Sequence, residues 1–234
     1  MSTGLLSQVL EAHGGLERWR AVQTIRARVA MGGPSWAARG VEGLLADLDV
    51  TVDLREQRTV FTGFTGPGRR GVYTPDRVAI EDADDVVLQE RHAPRASFGG
   101  EQWDPLHALY FAGYGLWNYL TTPYLLTLPG VRTEELPDDG PWRRLRVTFP
   151  PRITTHCAEQ TFHFDESGLQ RRVDYAPHVM GNRPVAHMTE VHKAVSGLVF
   201  PTHRFVLPLR DGRPAVTPII TVDLADLSVE GGPA

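Results

Sequence analysis

Cysteine is nearly missing from this chain. Of 234 residues only Cys157 carries a thiol, which excludes an intrachain disulfide and any structural zinc site of several thiolates, and fits a reducing compartment. Long apolar runs are missing too. A membrane-spanning helix needs roughly 18 to 20 consecutive apolar residues, and even the most apolar segment, residues 103–128, is broken by Asp104, Pro105, Asn118 and Pro123. There is no excess of basic charge: 24 Lys and Arg against 28 Asp and Glu leave a net charge of -4. A broad electrostatic footprint for nucleic acid is therefore absent, although Arg143, Arg144 and Arg146 form a local basic cluster. Nucleic acid is not expected as a partner. The first residues, MSTGLLSQVLEAHGGLERW, lack the basic start and continuous apolar stretch of a secretory signal, and carry Glu11 and Glu17 where such a signal is apolar. The expectation is a cytoplasmic protein without membrane insertion. Phosphate-binding motifs are missing as well. The glycine-rich GFTGPGRRG lacks the G-x-x-x-x-G-K-[ST] pattern and no helix follows it, and G-x-G-x-x-G does not occur, so a hairpin loop and no nucleotide cofactor are expected.

What the sequence does contain is the balance of a folded protein, with 41% hydrophobic and 22% charged residues. Its length suits one β-rich domain over residues 1–234. Leu5, Leu6, Val9, Leu10, Leu16 and Trp19 approximate a helical stripe that Gly14 and Gly15 interrupt, which predicts two short helices joined at the glycine pair. From Val22 onward, VQTIRARVAM, ADLDVTVDL, RTVFTGF, RRGVYTP, RVAIED and VVLQERH alternate or follow at short spacing with Gly, Pro or Asp between them, the pattern of an antiparallel meander. Residues 103–128 depart from it. Leu106, Leu109, Tyr110, Gly113, Leu116, Trp117 and Leu120 recur near helical spacing, Asp104 suits the N-cap with Pro105 at the first helical position, and Pro123 stops the helix. Apolar and aromatic on nearly every side, this helix is expected to be buried or to cover a cavity. After a polar turn at LPDDGPW a second meander runs to the end of the chain, with tight turns at Asp165–Gly168 and at RDGR, residues 210–213. The fold class is α+β, mainly antiparallel β: a strongly curved sheet with helices packed into its concave side.

The opening AHGGLERWRAVQTIRARVAMGG, the run of short strands, and HFDESGLQRRVDY followed by GLVFPTHRFVL resemble the LolA and LppX lipoprotein carriers in layout over nearly the whole chain. The resemblance implies an unclosed β half-barrel whose apolar concave face, plugged by helices, holds lipid or acyl chains. This sequence departs from those carriers in its many His, Asp and Arg residues on later strands, and in lacking a signal peptide and lipobox cysteine. A periplasmic shuttle role is therefore not carried over.

Residues 156–204 hold six of the nine histidines. Strand alternation puts Phe162, Phe164, Val173 and Tyr175 on the expected core face, and His187 inward with Thr189 and Val191. One reading is general acid/base catalysis: His156, Tyr175 and His187 face a cavity, with Asp174 or Glu190 as orienting carboxylates. The blander reading is polar strand surface and satisfied sheet histidines. A metal is not expected. His187 and His192 are five apart and point to opposite faces of a regular strand, His156 and His163 also diverge, and no H-x-H pair occurs. Cys157 reads as a buried, inert thiol. Tyr110, Tyr114, Trp117 and Asn118 on the helical insert, with Phe162 and Phe164 beneath it, are the candidate ligand-binding residues of a mostly apolar pocket.

Two functions follow. The first and favoured is a cofactor-independent enzyme performing isomerisation, elimination, cyclisation or hydrolysis on a small, largely apolar molecule such as a secondary metabolite. The alternative is a non-catalytic binding or carrier protein for a hydrophobic small molecule or lipid, in which the polar groups of an apolar cavity are paired with one another.

Overall fold

The computed structural model describes residues 4–231. Two helices, α1 (Leu5–Ala12) and α2 (Leu16–Arg20), meet at Gly14 and Gly15 as expected and lead into β1 (Val22–Gly32). A short helix α3 (Pro34–Ala38), which MGGPSWAARG did not announce, precedes β2 (Leu48–Asp53), β3 (Arg58–Thr62), β4 (Arg70–Tyr73), β5 (Arg77–Glu81) and β6 (Val87–His92). Helix α4 (Pro105–Thr121) follows, and then the second meander: β7 (Arg132–Asp139), β8 (Trp142–Thr148), β9 (Glu159–Phe164), β10 (Gln170–Tyr175), β11 (Val185–Val195), β12 (Leu198–Arg210), β13 (Arg213–Pro214) and β14 (Ile220–Gly231).

All pairings are antiparallel, and the strands lie in the order β6-β5-β4-β3-β2-β1-β14-β12-β11-β10-β9-β8-β7, with β13 paired to β12. Two local meanders are thus sewn together at the middle by the β1 to β14 pairing. The sheet is curved and unclosed. Its edges are β6 and β7, and because α4 joins them in sequence, the chain must cross the sheet from one edge to the other. The apolar side of the sheet is the side on which that crossing buries most surface.

The ends of α4 are where the residue types place them. Asp104 accepts a hydrogen bond from the backbone N–H of His107 at 2.9 Å, the His107 ring accepts one back from the Asp104 N–H at 3.2 Å, and Pro105 opens the helix. Fourteen of its 17 residues are buried, so it lies in the core with no wet face. Neither α4 nor any other helix among the described residues is long and apolar enough to cross a membrane.

Close approach of α4 to the sheet depends on Gly113. The Thr59 hydroxyl donates to its carbonyl at 3.0 Å, and a Cβ built on Gly113 would land on the Cβ and Cγ of Tyr73 in β4, itself wholly buried. Alanine here is expected to lower stability by about 2 kcal/mol, overpacking outweighing the roughly 1 kcal/mol that alanine gains in helix propensity. A urea midpoint unchanged from that of the parent protein would show that the helix is not seated on Tyr73.

Two local expectations are revised. LPDDGPW is not a turn throughout: Pro137, Asp138 and Asp139 continue β7, and only Gly140 and Pro141 remain between the strands. Proline is tolerated because β7 is an edge and needs no N–H there. In β11, Val191 adopts positive φ (52°) and drops out of the ladder, Glu190 pairing with His203 and His192 with Pro201. This bulge turns Val191 out to solvent, at 55% exposure, instead of inward with His187 and Thr189.

Candidate functional site

The site is built where the second meander passes beneath α4. Register places Leu145, Phe162, Val173, His187, Val206 and Ile220 side by side across β8, β9, β10, β11, β12 and β14. All six are buried, and His187 is the one polar member of an otherwise apolar row. Tyr175, two residues beyond Val173 on the same face, is also buried.

His156 comes from the loop between β8 and β9 and is 2% exposed. Its two ring nitrogens meet the hydroxyls of two tyrosines on α4: Nδ1 lies 3.0 Å from Tyr114 and Nε2 2.8 Å from Tyr119. A neutral imidazole satisfies both at once, donating its single N–H to one phenol oxygen and accepting the O–H of the other. The ring also stacks on Tyr175 at 4.3 Å and 3°. The Tyr175 hydroxyl in turn lies 3.0 Å from Nδ1 of His187. His187 packs edge-on against Tyr119 at 4.6 Å, and the guanidinium of Arg204 on β12 sits 5.0 Å over the Tyr119 ring while donating to the Tyr119 carbonyl at 3.0 Å.

Burial dominates the electrostatics. It pushes His156 down to about 3, with Arg95 adding to the effect, and pulls His187 well below its usual range, helped by Arg204 and His156. Burial raises Tyr119 to about 12 and carries Tyr114 and Tyr175 well above their ordinary value. Every one of these groups is thereby held neutral near pH 7. A general base wants a pKa near the working pH, and these shifts run away from it in both directions.

Of the residues singled out in the sequence, His156, Tyr175, His187, Tyr114 and Asn118 converge. Asp174 does not. It faces the other side of β10, where its carboxylate takes hydrogen bonds from Arg172 at 2.5 and 2.8 Å and lies 3.1 Å from His163. Burial would raise that carboxyl, but the bonds from His163 and Arg172 outweigh it and hold Asp174 below its usual range. Its alternative as orienting carboxylate, Glu190, is exposed. The Trp117 indole N–H is spent on the carbonyls of Asp53 and Glu56, at 2.8 and 3.0 Å, and so ties α4 to the β2–β3 turn. Phe164 is wholly buried against Phe162 and fills core. Cys157 is buried, its thiol 2.9 Å from the Glu159 carbonyl and raised by burial.

The remaining histidines scatter. His163 lies with Asp174, His178 stands 2.9 Å from Arg95 at the surface, and His203 pairs with Asp223 at 2.7 Å. The bulge at Val191 turns His192 inward, against expectation for a regular strand, to within 6.3 Å of the His13 ring. Among the described residues no three His, Cys, Asp or Glu side chains gather around one point to hold a metal.

Two residues central to the site were not anticipated. Tyr119 sits five positions from Tyr114, so helical periodicity assigns them to different stripes; only an imidazole inserted from a loop lets both reach one ring. Arg204 shares its face of β12 with Phe200, Thr202 and Val206, all buried, and that alternation was present in the sequence. A charged residue in it reads as solvent-facing by default.

Two enclosed spaces flank the Tyr119–Tyr175 pair. One, about 20 Å³, is bordered by Asn118, His156, Phe162, His187 and Arg204; the other, of about the same size, is apolar and bordered by Met31, Trp36, Phe111, Val206 and Val222. Each has room for about one water molecule as it stands. A larger open cleft of about 700 Å³, to which Tyr110 contributes, shares Phe149 and Thr155 with the first space, so these two residues form the wall between them.

No protein-family model and no curated protein sequence matches the chain. Solved structures do. A LolA superfamily protein from Nitrosomonas europaea superposes with a TM-score of 0.57 at 10% identity, covering 99% of this chain and 96% of that one. A DUF1329 family protein from Desulfovibrio piger gives 0.52 at 13% identity, again covering 99% and 96%. The Mycobacterium tuberculosis lipoprotein LppX covers 96% and 94% at 11% identity with a TM-score of 0.30, too low to support any argument. The chain therefore has a LolA-like fold, the half-barrel that the layout of its sequence implied. The expectation of an acid/base enzyme is corrected accordingly. The fold is shared with a LolA superfamily protein, Asp174 is on the wrong face, and the histidines are neutral and already engaged by phenols.

Proposed function

We propose that the protein is a non-catalytic binding or carrier protein that holds a hydrophobic small molecule or lipid between α4 and the concave face of the sheet. The observation that carries this reading is the mutual pairing of the polar groups around His156: both ring nitrogens are taken by Tyr114 and Tyr119, and Tyr175 is taken by His187. A binding site that must be apolar yet specific pairs its polar groups internally and leaves a few to orient the guest. The LolA-like fold supports the same reading. Asn118, Tyr119, Phe162 and Tyr175 would touch the guest directly, and Tyr110 would line the outer cleft through which it enters past Phe149 and Thr155. Because the enclosed spaces are small, the guest must displace side chains as it enters, and α4, joined to the sheet edges by loops, is the element to move. A reducing, cytoplasmic setting fits the single buried thiol of Cys157.

Native mass spectrometry of freshly purified protein tests this, set against the mass of the denatured chain. The expected result is an added mass in the range of a lipid-like molecule, lost on denaturation. A bare native mass, together with no uptake of an added fluorescent alkyl probe, would sink the reading.

A further inference from the structure

We infer that the guest of this site carries an anionic head on its apolar body and that Arg204 receives that head. This rests on the binding reading above and names the class of molecule it would take. Arg204 is 2% exposed, in the middle of the sheet on β12, and no carboxylate is among the groups that act on it; its neighbours are the phenols of Tyr119 and Tyr175. Other buried or half-buried arginines of the sheet are matched with acids, as Arg172 is with Asp174 and Arg70 with Glu81. Arg204 has only the Tyr119 carbonyl and the face of the Tyr119 ring. Its Nε is buried without a partner.

A guanidinium offers five N–H donors in a planar fork that fits a carboxylate or phosphate through two parallel bonds. A buried, unpaired charge opposes folding, so its presence calls for a counter-charge supplied from outside the chain. Two further buried groups border the same space without partners, Nε2 of His187 and Oδ1 of Asn118. When the Tyr175 hydroxyl donates to Nδ1 of His187, the imidazole proton sits on Nε2 and becomes a second donor for an anion beside Arg204. His187 stays neutral because burial and Arg204 hold its pKa down, so the full positive charge in the space is that of Arg204.

The apolar body has its own place. The second space meets the first at Tyr119 and Tyr175 and is walled by Met31, Trp36, Phe111 and Val222, a surface suited to a hydrocarbon chain and to no charge. The two spaces adjoin, and only the first is bordered by Arg204, His187 and Asn118. The guanidinium fork matches a carboxylate or a phosphate alike, so the two heads are separated by experiment.

Titration calorimetry of the full chain with dodecanoate, dodecyl phosphate and dodecanol tests the inference. The expected result is that dodecanoate, dodecyl phosphate or both bind roughly tenfold or more tightly than dodecanol. Arg204→Met should collapse that difference, and Arg204→Lys should restore part of it, with near-ultraviolet circular dichroism showing that both variants are folded. If the phosphate outranks the carboxylate, the head is a phosphate and the role of Arg204 stands. Equal affinity for all three in the parent protein, or a preference that survives Arg204→Met, overturns the inference while leaving a binding protein. Failure of all three to bind removes the binding reading itself and this inference with it.

Discussion

Acidification from about pH 7 to about pH 5 is expected to remove about 2 kcal/mol of stability through His156 alone, a large fraction of the margin of an ordinary domain. The sign follows from His156, whose pKa falls from 6.5 to about 3 when burial strips its imidazole of water. Between those values the unfolded chain takes up a proton that the folded chain refuses. The contribution is complete above the unfolded pKa and is lost as the pH falls toward the folded one, at about 1.4 kcal/mol per pH unit. At about pH 5 His156 alone accounts for about 2 kcal/mol. His187, equally enclosed and lowered well below 6.5 by burial, adds to the loss with the same sign. Its proximity to His156 makes protonating both harder than protonating either. His192, lowered to about 4 but half in contact with solvent, adds less. The urea midpoint measured at several pH values checks this. Replacement of His156 by glutamine, which can still hydrogen-bond but cannot take the proton, should make the acid limb shallower by one proton. A midpoint that stays level between about pH 7 and about pH 5 would mean that these histidines are not held neutral in the folded protein.

The same histidines mark how far the sequence could be read. Local signals were sufficient for most of the fold: the glycine pair between α1 and α2, Asp104 and Pro105 at the start of α4, and the turn at Asp165 to Gly168 all act within a few residues of themselves. The inward faces of β9 and β10 followed from period two, which places Phe162, Phe164, Val173 and Tyr175 in the core. Three things did not follow. The bulge at Val191 resets the alternation of β11, so His192 turns inward through a backbone change that no side chain in its vicinity announces. Asp174 follows Val173 and precedes Tyr175, so strand alternation turns it to the other face, where it meets His163 and Arg172 instead of orienting a cavity histidine. The clasp of His156 by Tyr114 and Tyr119 joins residues 42 and 37 positions apart, through a loop whose path only the assembled sheet determines. Clustering of histidines in sequence was therefore a poor guide to clustering in space, since six of them on successive strands and turns reach five separate surroundings.

Replacement of Arg204 by methionine is expected to stabilise the ligand-free protein by about 2 to 3 kcal/mol, the reverse of what removing a buried, hydrogen-bonded side chain normally does. Burial lowers this guanidinium from 12.5 to about 10, against the raising influence of Tyr119 and Tyr175. A depression of that size corresponds to about 3 kcal/mol of disfavour for the charged form on folding. Loss of the bond to the Tyr119 carbonyl returns about 1 kcal/mol of that gain, and the apolar contacts of methionine with its row offset part of the loss. Because Arg204 remains protonated in the folded protein up to about pH 10, its cost is constant at ordinary pH and only a substitution reveals it. Thermal unfolding with and without dodecanoate makes the comparison. A ligand that binds only the folded state stabilises it in proportion to the logarithm of its occupancy, so the anion should raise the midpoint of the parent protein and scarcely move that of the variant. The order of stability of the two proteins should then narrow or invert as dodecanoate is added. A methionine variant less stable than the parent at every concentration would identify Arg204 as a structural tie between β12 and the end of α4. Stability gained on losing the charge, and given up again when the anion is supplied, is the signature of a residue kept for its ligand at the expense of the empty fold.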